Sequence, residues 1–274
     1  MEIGVVAQRG NERATKLAGD VRAELVSEGV SVRVDEATAA RLDVAGCPVE
    51  AMAEYPMVVS VGGDGTFLFV ARRVGSTPIL GVNVGEVGFL NAVSPAEATD
   101  RVAEEVERIR ATGVPRFRDV PRLAATGEGL SIPPALNEVV VQGPQRGRRQ
   151  GLEAEVRIDG SPYTATHADG ILVATQTGST AYNLSERGPL VHPNVAGLVV
   201  NEMAAVEPMP PLVIDQAAEI TVHADGPERV VVASDGSERQ WLDTPATVTV
   251  RVHDQPARIA GPRSDFLRAL EKLN

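Results

Sequence analysis

The sequence is poor in lysine, in cysteine and in aromatic residues. Only Lys16 and Lys272 are lysines among 26 basic residues, so a phosphate-binding loop of the GxxxxGK[ST] type is excluded. A single cysteine, Cys47, excludes an intrachain disulfide and a zinc site built from several cysteines. Aromatic residues make up 3% of the chain, so aliphatic side chains must fill the core.

Positive charge is also in deficit. The 26 basic and 37 acidic residues give a net charge of −11 at pH 7, which argues against a nonspecific nucleic-acid binder with its basic surface. An acidic surface with few lysines suits a cytoplasm rich in salt, where screening limits self-repulsion, and we hypothesise such an adaptation. No run of 18 apolar residues and no basic signal-peptide region is present, so we expect a cytoplasmic protein without a membrane span.

Two patterns divide the 274 residues. Through residues 1–116, short apolar segments typical of buried strands alternate with helical periodicity at 11–28, 66–74 and 94–110, which predicts an α/β domain with a parallel sheet and helices on both faces. Residues 117–252 contain several apolar segments between Gly, Pro and Asp turns, which predicts a β-rich second domain. The predicted strands of this second part are 136–141, 152–158, 171–175, 219–222, 229–233 and 246–252.

The most informative motif is Gly62-Gly63-Asp64-Gly65-Thr66, which follows an apolar strand and precedes an apolar helix. Its glycines permit positive φ angles and a close approach of the backbone to a ligand. Backbone N–H groups in such a turn, together with the start of the helix, favour a phosphate. Asp64 would repel a phosphate, so we interpret it as a general base or as a Mg²⁺ contact in phosphoryl transfer.

Two other segments place polar residues beside apolar strands. Thr177 to Ser185 follows the predicted strand 171–175, and its hydroxyl and N–H groups could hold sugar hydroxyls or simply cap a helix. Asn137 and Glu138 interrupt the apolar segment 136–141, and exposure at a sheet edge would explain them equally well.

The order of these motifs resembles the NAD kinases, which transfer the γ-phosphoryl group of ATP, or of polyphosphate in some members, to the 2′-hydroxyl of the adenosine ribose of NAD. The resemblance also includes further segments along the chain, namely 78–83, 88–90, 188–193 and Asp235-Gly236. It implies the two-domain fold of that family, with residues 253–274 packing back on the first domain and the site between the domains. It also implies Mg²⁺, ATP or polyphosphate as donor, NAD as acceptor, and a homodimer or homotetramer.

The resemblance assigns roles to individual residues. Asp64 is expected to accept or orient the proton of the 2′-hydroxyl, and Asn137 and Glu138 to hold the adenosine ribose. Phe89 is expected on the adenine side. The glycine-rich turn that would cradle the ATP phosphates consists of Gly62, Gly63, Gly65 and Thr66. The wall that would bind the rest of the dinucleotide consists of Asp169, Thr177, Thr180, Ala181, Tyr182 and Ser185. No protein residue is assigned as a metal ligand.

The chain departs from the family pattern at Gln176, at residues 186–188 and at residues 201–209. The departures at Gln176 and at 201–209 motivate one alternative, a catalytically weak paralogue that binds NAD(P) as a regulator. A second alternative is a lipid or other small-molecule kinase that shares the GGDGT turn.

Overall fold

The computed structural model describes residues 1–85, 88–145, 147, 151–263 and 265–271. The last residues of the predicted tail lie outside this part of the chain. Within the described residues, the strands are β1 Glu2–Ala7, β2 Ser31–Asp35, β3 Gly46–Cys47, β4 Val58–Gly62, β5 Ile79–Asn83, β6 Phe117–Val120, β7 Leu123–Thr126, β8 Glu138–Gln142, β9 Leu152–Ile158, β10 Ser161–Ala168, β11 Gly170–Thr175, β12 Gly197–Met203, β13 Leu212–Asp215, β14 Ile220–Asp225, β15 Arg229–Ser234, β16 Glu238–Asp243, β17 Ala246–Val252 and β18 Ala257–Ala260.

The helices of the described residues are mostly in the N-terminal half. They are α1 Glu12–Ser27, α2 Glu36–Leu42, α3 Asp64–Val74, α4 Ala98–Thr112, α5 Tyr182–Ser185 and α6 Phe266–Leu270, with 3₁₀ helices at Val49–Glu54, Pro95–Glu97 and Gly178–Thr180. Across the part of the chain that is described, none of these helices combines the length and the apolar character needed to cross a membrane.

The chain forms two compact units. One contains residues 1–120 and the described residues from 255 onward, and the other contains residues 121–254. The first unit is built on one sheet in the order β3-β2-β1-β4-β5-β18-β6. All pairs in this sheet are parallel except β18 with β6, so the predicted parallel sheet is confirmed.

Helices cover both faces of this sheet. Ile3, Val5 and Ala7 of β1 belong to the apolar cluster that contains the buried faces of α1 and α4. Gly4 points the other way, and a Cβ there would lie 2.7 Å from the sulfur of Met52, in the 3₁₀ helix that packs against α3. The alternation of the strand residues thus gives each face its own helices.

Local signals explain where the helices begin. The Asn11 side chain accepts a hydrogen bond from the Ala14 N–H at 3.1 Å and caps α1. Asp35 caps α2 in the same way, accepting from the N–H groups of Ala37 and Thr38 at 3.1 and 3.2 Å. Sequence periodicity did not predict α2, because this seven-residue helix follows directly on β2 without an intervening turn. Helix α3 begins at Asp64, two residues before the predicted start.

The second unit consists of two antiparallel sheets around a shared apolar cluster. The sheets have the orders β10-β9-β14-β17-β7 and β13-β12-β11-β8-β15-β16, and buried residues of both contribute to the cluster. The predicted β-rich character is confirmed, although β7, β10, β12, β13 and β16 were not predicted. Strand β12 is the most deeply buried of these omissions, since all seven of its residues are buried beside β11.

The edge explanation of Asn137 and Glu138 is wrong. Strand β8 lies between β11 and β15 in the interior of its sheet, and Asn137 and Glu138 are only 8% and 4% exposed. Two polar side chains buried beside a central strand need partners or a function, because burial of an unpaired polar group is costly.

Candidate active site

The glycine-rich turn joins β4 to α3 in the first unit. A Cβ at Gly62 would lie 2.4 Å from Oγ1 of Thr66, so glycine is required there for close packing. At Gly63 and Gly65 a Cβ would meet nothing within 4 Å, so the backbone of the turn borders open space. Gly63 has a φ of −92°, and none of the three glycines has a positive φ. The turn therefore does not use the positive φ that glycine permits; Gly62 allows close packing, and Gly63 and Gly65 keep the turn free of side chains.

Asp64 occupies the first turn of α3, and its carboxylate is held by the loop that follows β5. The N–H groups of Phe89 and Leu90 donate to its two oxygens at 3.0 and 3.3 Å, and Nδ2 of Asn91 donates at 3.0 Å. Donors from three consecutive residues of the described chain thus fix the orientation of this carboxylate. Burial raises the pKa of Asp64, while the hydrogen bonds from residues 89–91 oppose the shift.

Residues 88–91 can approach Asp64 because two glycines leave room for them. A Cβ at Gly88 would lie 3.0 Å from Nδ2 of Asn83 and 3.2 Å from Oδ1 of Asp64. A Cβ at Gly81 would lie 2.2 Å from Oδ1 of the buried Asn91. Sequence reasoning missed Asn91, and the signal that could have found it is a second polar side chain close after an apolar strand.

Phe89 is half-buried, and its ring lies against Phe266 of α6 with centroids 6.1 Å apart. Its backbone N–H contacts Asp64, so Phe89 shapes the site through its main chain. The predicted contact of its ring with adenine stays a prediction.

The second unit brings Asn137 and Glu138 next to the Thr177–Tyr182 segment. The Asn137 carbonyl accepts from the Thr175 N–H at 2.9 Å, and the Thr175 hydroxyl donates to the Leu136 carbonyl at 2.7 Å. The Gly178 N–H donates to the same hydroxyl at 3.0 Å, and a Cβ at Gly178 would lie 2.0 Å from the Asn137 carbonyl oxygen. Only glycine fits at position 178 with this backbone.

Glu138 is a buried carboxyl group in an environment that disfavours its charge. Burial and then the nearby charge of Asp235 raise the pKa of Glu138 to about 8, and the backbone N–H of Tyr182 opposes the shift. Among the residues that the structure describes, Oε2 of Glu138 is buried and finds no hydrogen-bond partner. A protonated carboxyl group at neutral pH can both donate and accept a hydrogen bond.

The Thr177–Ser185 segment folds as a 3₁₀ turn followed by α5. The Thr180 hydroxyl donates to the Thr177 carbonyl at 3.3 Å, Tyr182 packs on the outer apolar cluster of the six-stranded sheet, and Ser185 is exposed. Thr177, Thr180, Ala181 and Tyr182 are half-buried, so each of them keeps an accessible surface.

Within the second unit, Asp169 lies apart from the Thr177–Ser185 segment. It lies just before β11, whereas the segment 177–185 follows the other end of that strand. Six residue steps at about 3.4 Å each separate Asp169 from Thr175 by roughly 20 Å along the strand. Oδ1 of Asp169 accepts the Gly147 N–H at 2.8 Å. Its predicted place in the dinucleotide wall stays a prediction.

The departures at 186–188 and 201–209 are joined in one buried network. Asn183 donates to the carbonyls of Ser179 and Pro189 at 3.2 and 3.0 Å, and Asn201 donates to the Glu186 carbonyl at 3.1 Å. A Cβ at Gly188 would lie 1.9 Å from Oδ1 of Asn183. These residues therefore support the backbone of α5. The two departures from the family pattern, at 186–188 and 201–209, contact each other through the bond from Asn201 to Glu186.

Family comparisons agree with this architecture. Residues 3–110 match the ATP-NAD kinase N-terminal domain, and residues 136–260 match the ATP-NAD kinase C-terminal domain. The chain belongs to the NAD kinase family. NAD kinases of Halobacterium salinarum and Halorubrum lacusprofundi are 56% and 55% identical to it, with 100% of each chain covered in both pairs.

Solved NAD kinases share the fold. The structure of an NAD kinase from Archaeoglobus fulgidus in complex with ATP has a TM-score of 0.81 and 25% identity, with 100% of this chain and 98% of that chain covered. Yeast NADH kinase complexed with NADH has a TM-score of 0.85 at 20% identity, covering 100% and 87%, and supports the fold alone.

In the described part of the chain, no group of three or more His, Cys, Asp or Glu side chains could hold a metal ion. The amide donors around Asp64 stabilise the negative charge of its carboxylate.

Proposed function

We propose that the protein transfers the γ-phosphoryl group of ATP to the 2′-hydroxyl of the adenosine ribose of NAD, giving NADP. The observation that carries this proposal is the Asp64 carboxylate at the start of α3, with its oxygens oriented by residues 89–91. Membership of the NAD kinase family supports the choice of substrates.

Asp64 acts as the general base in this proposal. It takes the proton of the 2′-hydroxyl while the oxygen forms a bond to the γ-phosphorus, and the bond between that phosphorus and the bridging oxygen breaks to release ADP. A raised pKa makes a carboxylate a better proton acceptor than an ordinary aspartate. The bonds from Phe89, Leu90 and Asn91 hold it in one orientation, which reduces the reorganisation needed during transfer.

The phosphates of the donor are proposed to bind at the open side of the glycine-rich turn. Gly63 and Gly65 leave that side free of side chains, and the eleven-residue helix α3 begins there with its partial positive charge. The chain has no lysine in this motif, so backbone N–H groups provide the local positive potential. Mg²⁺ remains part of the proposal only as an ion carried by the donor phosphates.

Asn137 and Glu138 are proposed to hold the adenosine. Both are buried and fixed by the strand ends around them, and a protonated Glu138 offers a donor as well as an acceptor. Thr177, Thr180, Ala181, Tyr182 and Ser185 are proposed to line the adjoining wall. We also propose a high-salt, cytoplasmic setting and a homodimer or homotetramer. Light scattering in molar KCl measures the oligomeric state.

The deciding experiment is NADP formation by the purified protein with NAD or NADH as acceptor and ATP or polyphosphate as donor, in Mg²⁺ and molar KCl. We expect NADP from NAD and ATP. Binding of NAD without product would instead identify the regulatory paralogue, and phosphorylation of a lipid in place of NAD would identify the other kinase class.

A further inference from the structure

We propose that Asp235 is a positioning residue of the acceptor site, which holds Asn137 and Glu138 through their backbone without contacting substrate itself. This inference rests on the proposed role of Asn137 and Glu138 in binding the adenosine of NAD. The role comes from the position of the Asp235 carboxylate at the start of β8, a strand distant from it in sequence.

The Asp235 carboxylate accepts three consecutive backbone N–H groups. Leu136 donates to Oδ2 at 3.0 Å, and Asn137 and Glu138 donate to Oδ1 at 2.7 and 3.4 Å. The main chain of Asp235 adds a fourth hydrogen bond, in which its N–H donates to the Glu138 carbonyl at 3.0 Å. Four hydrogen bonds thus join one residue to the three-residue segment that enters β8.

The backbone of Asp235 is itself in an unusual conformation. Its φ of 46° lies in the left-handed region, which aspartate adopts more readily than most residues. It stands directly after β15, the strand that pairs with β8, and begins the turn into β16. This turn places the Asp235 carboxylate next to the start of β8.

The segment is held on its other side by the strand that pairs there. Thr175, the last residue of β11, donates its hydroxyl to the Leu136 carbonyl at 2.7 Å and its N–H to the Asn137 carbonyl at 2.9 Å. The N–H groups of residues 136–138 and the Glu138 carbonyl therefore face Asp235, whereas the carbonyls of Leu136 and Asn137 face Thr175. With both sets of backbone groups engaged, the position of the Asn137 and Glu138 side chains is determined from two neighbouring strands.

Asp235 also acts on Glu138 through its charge. Its negative charge disfavours ionisation of the Glu138 carboxyl group, in addition to the larger effect of burial. The groups that affect Glu138 in the described residues are this carboxylate and the Tyr182 N–H, and the latter favours ionisation. Removing the charge of Asp235 should therefore move the ionisation of Glu138 to lower pH.

The test compares Asp235→Asn with Asp159→Asn. Asp159 is a matched control in the same unit, since it has a φ of 48°, lies in a β-turn between β9 and β10, and accepts the Glu219 N–H at 2.9 Å. For Asp235→Asn we expect KM for NAD to rise about tenfold, KM for ATP to stay within about twofold, and the pH profile of NAD binding to move to lower pH. For Asp159→Asn we expect none of these changes.

Thr175→Val provides a second variant in case Asp235→Asn does not fold. It keeps the shape of the side chain but removes the hydroxyl that binds Leu136, and KM for NAD should again rise more than KM for ATP. An unchanged KM for NAD in a folded Asp235→Asn protein, or an equal loss for NAD and ATP, would overturn the inference.

Calorimetric binding of NAD separates this inference from the proposed function. If the wild type binds NAD but forms no NADP, while Asp235→Asn weakens that binding, the proposed function fails and the positioning role stands. If the wild type forms NADP and Asp235→Asn binds NAD as tightly as wild type with an unmoved pH profile, the positioning role fails alone.

Discussion

Replacement of Asp64 by asparagine tests the centre of the proposed mechanism. The substitution keeps the size of the side chain but removes its negative charge and one of its two acceptor oxygens. Two kinds of contact are lost: the proton acceptor for the 2′-hydroxyl, and at least one of the bonds from Phe89, Leu90 and Asn91. An amide nitrogen facing those donors is itself a donor, so the loop at 88–91 has to shift.

The size of the effect follows from these two losses. A positioned general base contributes about 10²–10⁴-fold to the rate, which corresponds to about 3–5 kcal/mol of activation free energy. The loop adds a smaller term, since a hydrogen bond to a charged group is worth about 1.5–3 kcal/mol net. Burial penalises the Asp64 charge and raises its pKa. Removing that charge therefore stabilises the fold and offsets part of the stability lost with the hydrogen bonds to the 88–91 loop.

We therefore expect kcat for NADP formation to fall about 10²–10⁴-fold in Asp64→Asn, with a change in melting temperature of only a few degrees. Initial rates at saturating NAD and ATP measure kcat, and calorimetry measures the dissociation constant for NAD. Asp20→Asn is the matched control, because Asp20 lies exposed on α1 of the same unit and should leave both quantities unchanged.

Two results would refute this reasoning. Full activity of Asp64→Asn would remove Asp64 from proton transfer. A loss of NAD binding as large as the loss of kcat would show that the residue acts through the 88–91 loop and not as a base.

Three further predictions address other residues and the surface. Gly178→Ala forces a Cβ against the Asn137 carbonyl oxygen at 2.0 Å and should destabilise the fold by about 3 kcal/mol, the upper range for overpacking, whereas Gly65→Ala meets no atom within 4 Å and should not lower the melting temperature. Glu138 binds a proton more tightly in the folded state, because its pKa there is raised to about 8. The free energy of unfolding should therefore fall as pH rises from about 4.5 to about 8. Chemical denaturation of Glu138→Gln should lack this pH dependence, and a dependence identical to that of the wild type would contradict the raised pKa of Glu138. The net charge of −11 should make the melting temperature rise with KCl up to molar concentrations, and a salt-independent melting curve would contradict the adaptation to high salt suggested by the sequence and by the halophilic relatives.

Local sequence was sufficient where a structural feature depends on neighbouring residues. The apolar segment of β4, the glycines after it and the periodicity of α3 all lie within about 20 residues, so the strand, the turn and the helix were predictable together. The alternation of such units predicted the parallel sheet, and the order of the motifs identified the family. Asp64 could also be selected as a candidate site residue from the sequence, because it is an acidic residue between glycines at the start of a helix.

Tertiary structure decided everything that depends on which strands are neighbours. Asn137 and Glu138 could be read as an exposed edge until the pairing of β8 with β11 and β15 buried them. Asp235 lies about a hundred residues after the backbone that it holds, at separations of 97 to 99 positions, so no local pattern could connect them. Asp169 and Thr177 are close in sequence, yet the extended length of β11 separates them. The sequence alone determined which chemical groups this protein has and which local elements carry them. Their surroundings were decided only by long-range strand pairing, because burial, hydrogen-bond partners and pKa depend on chain segments that meet only in the folded protein.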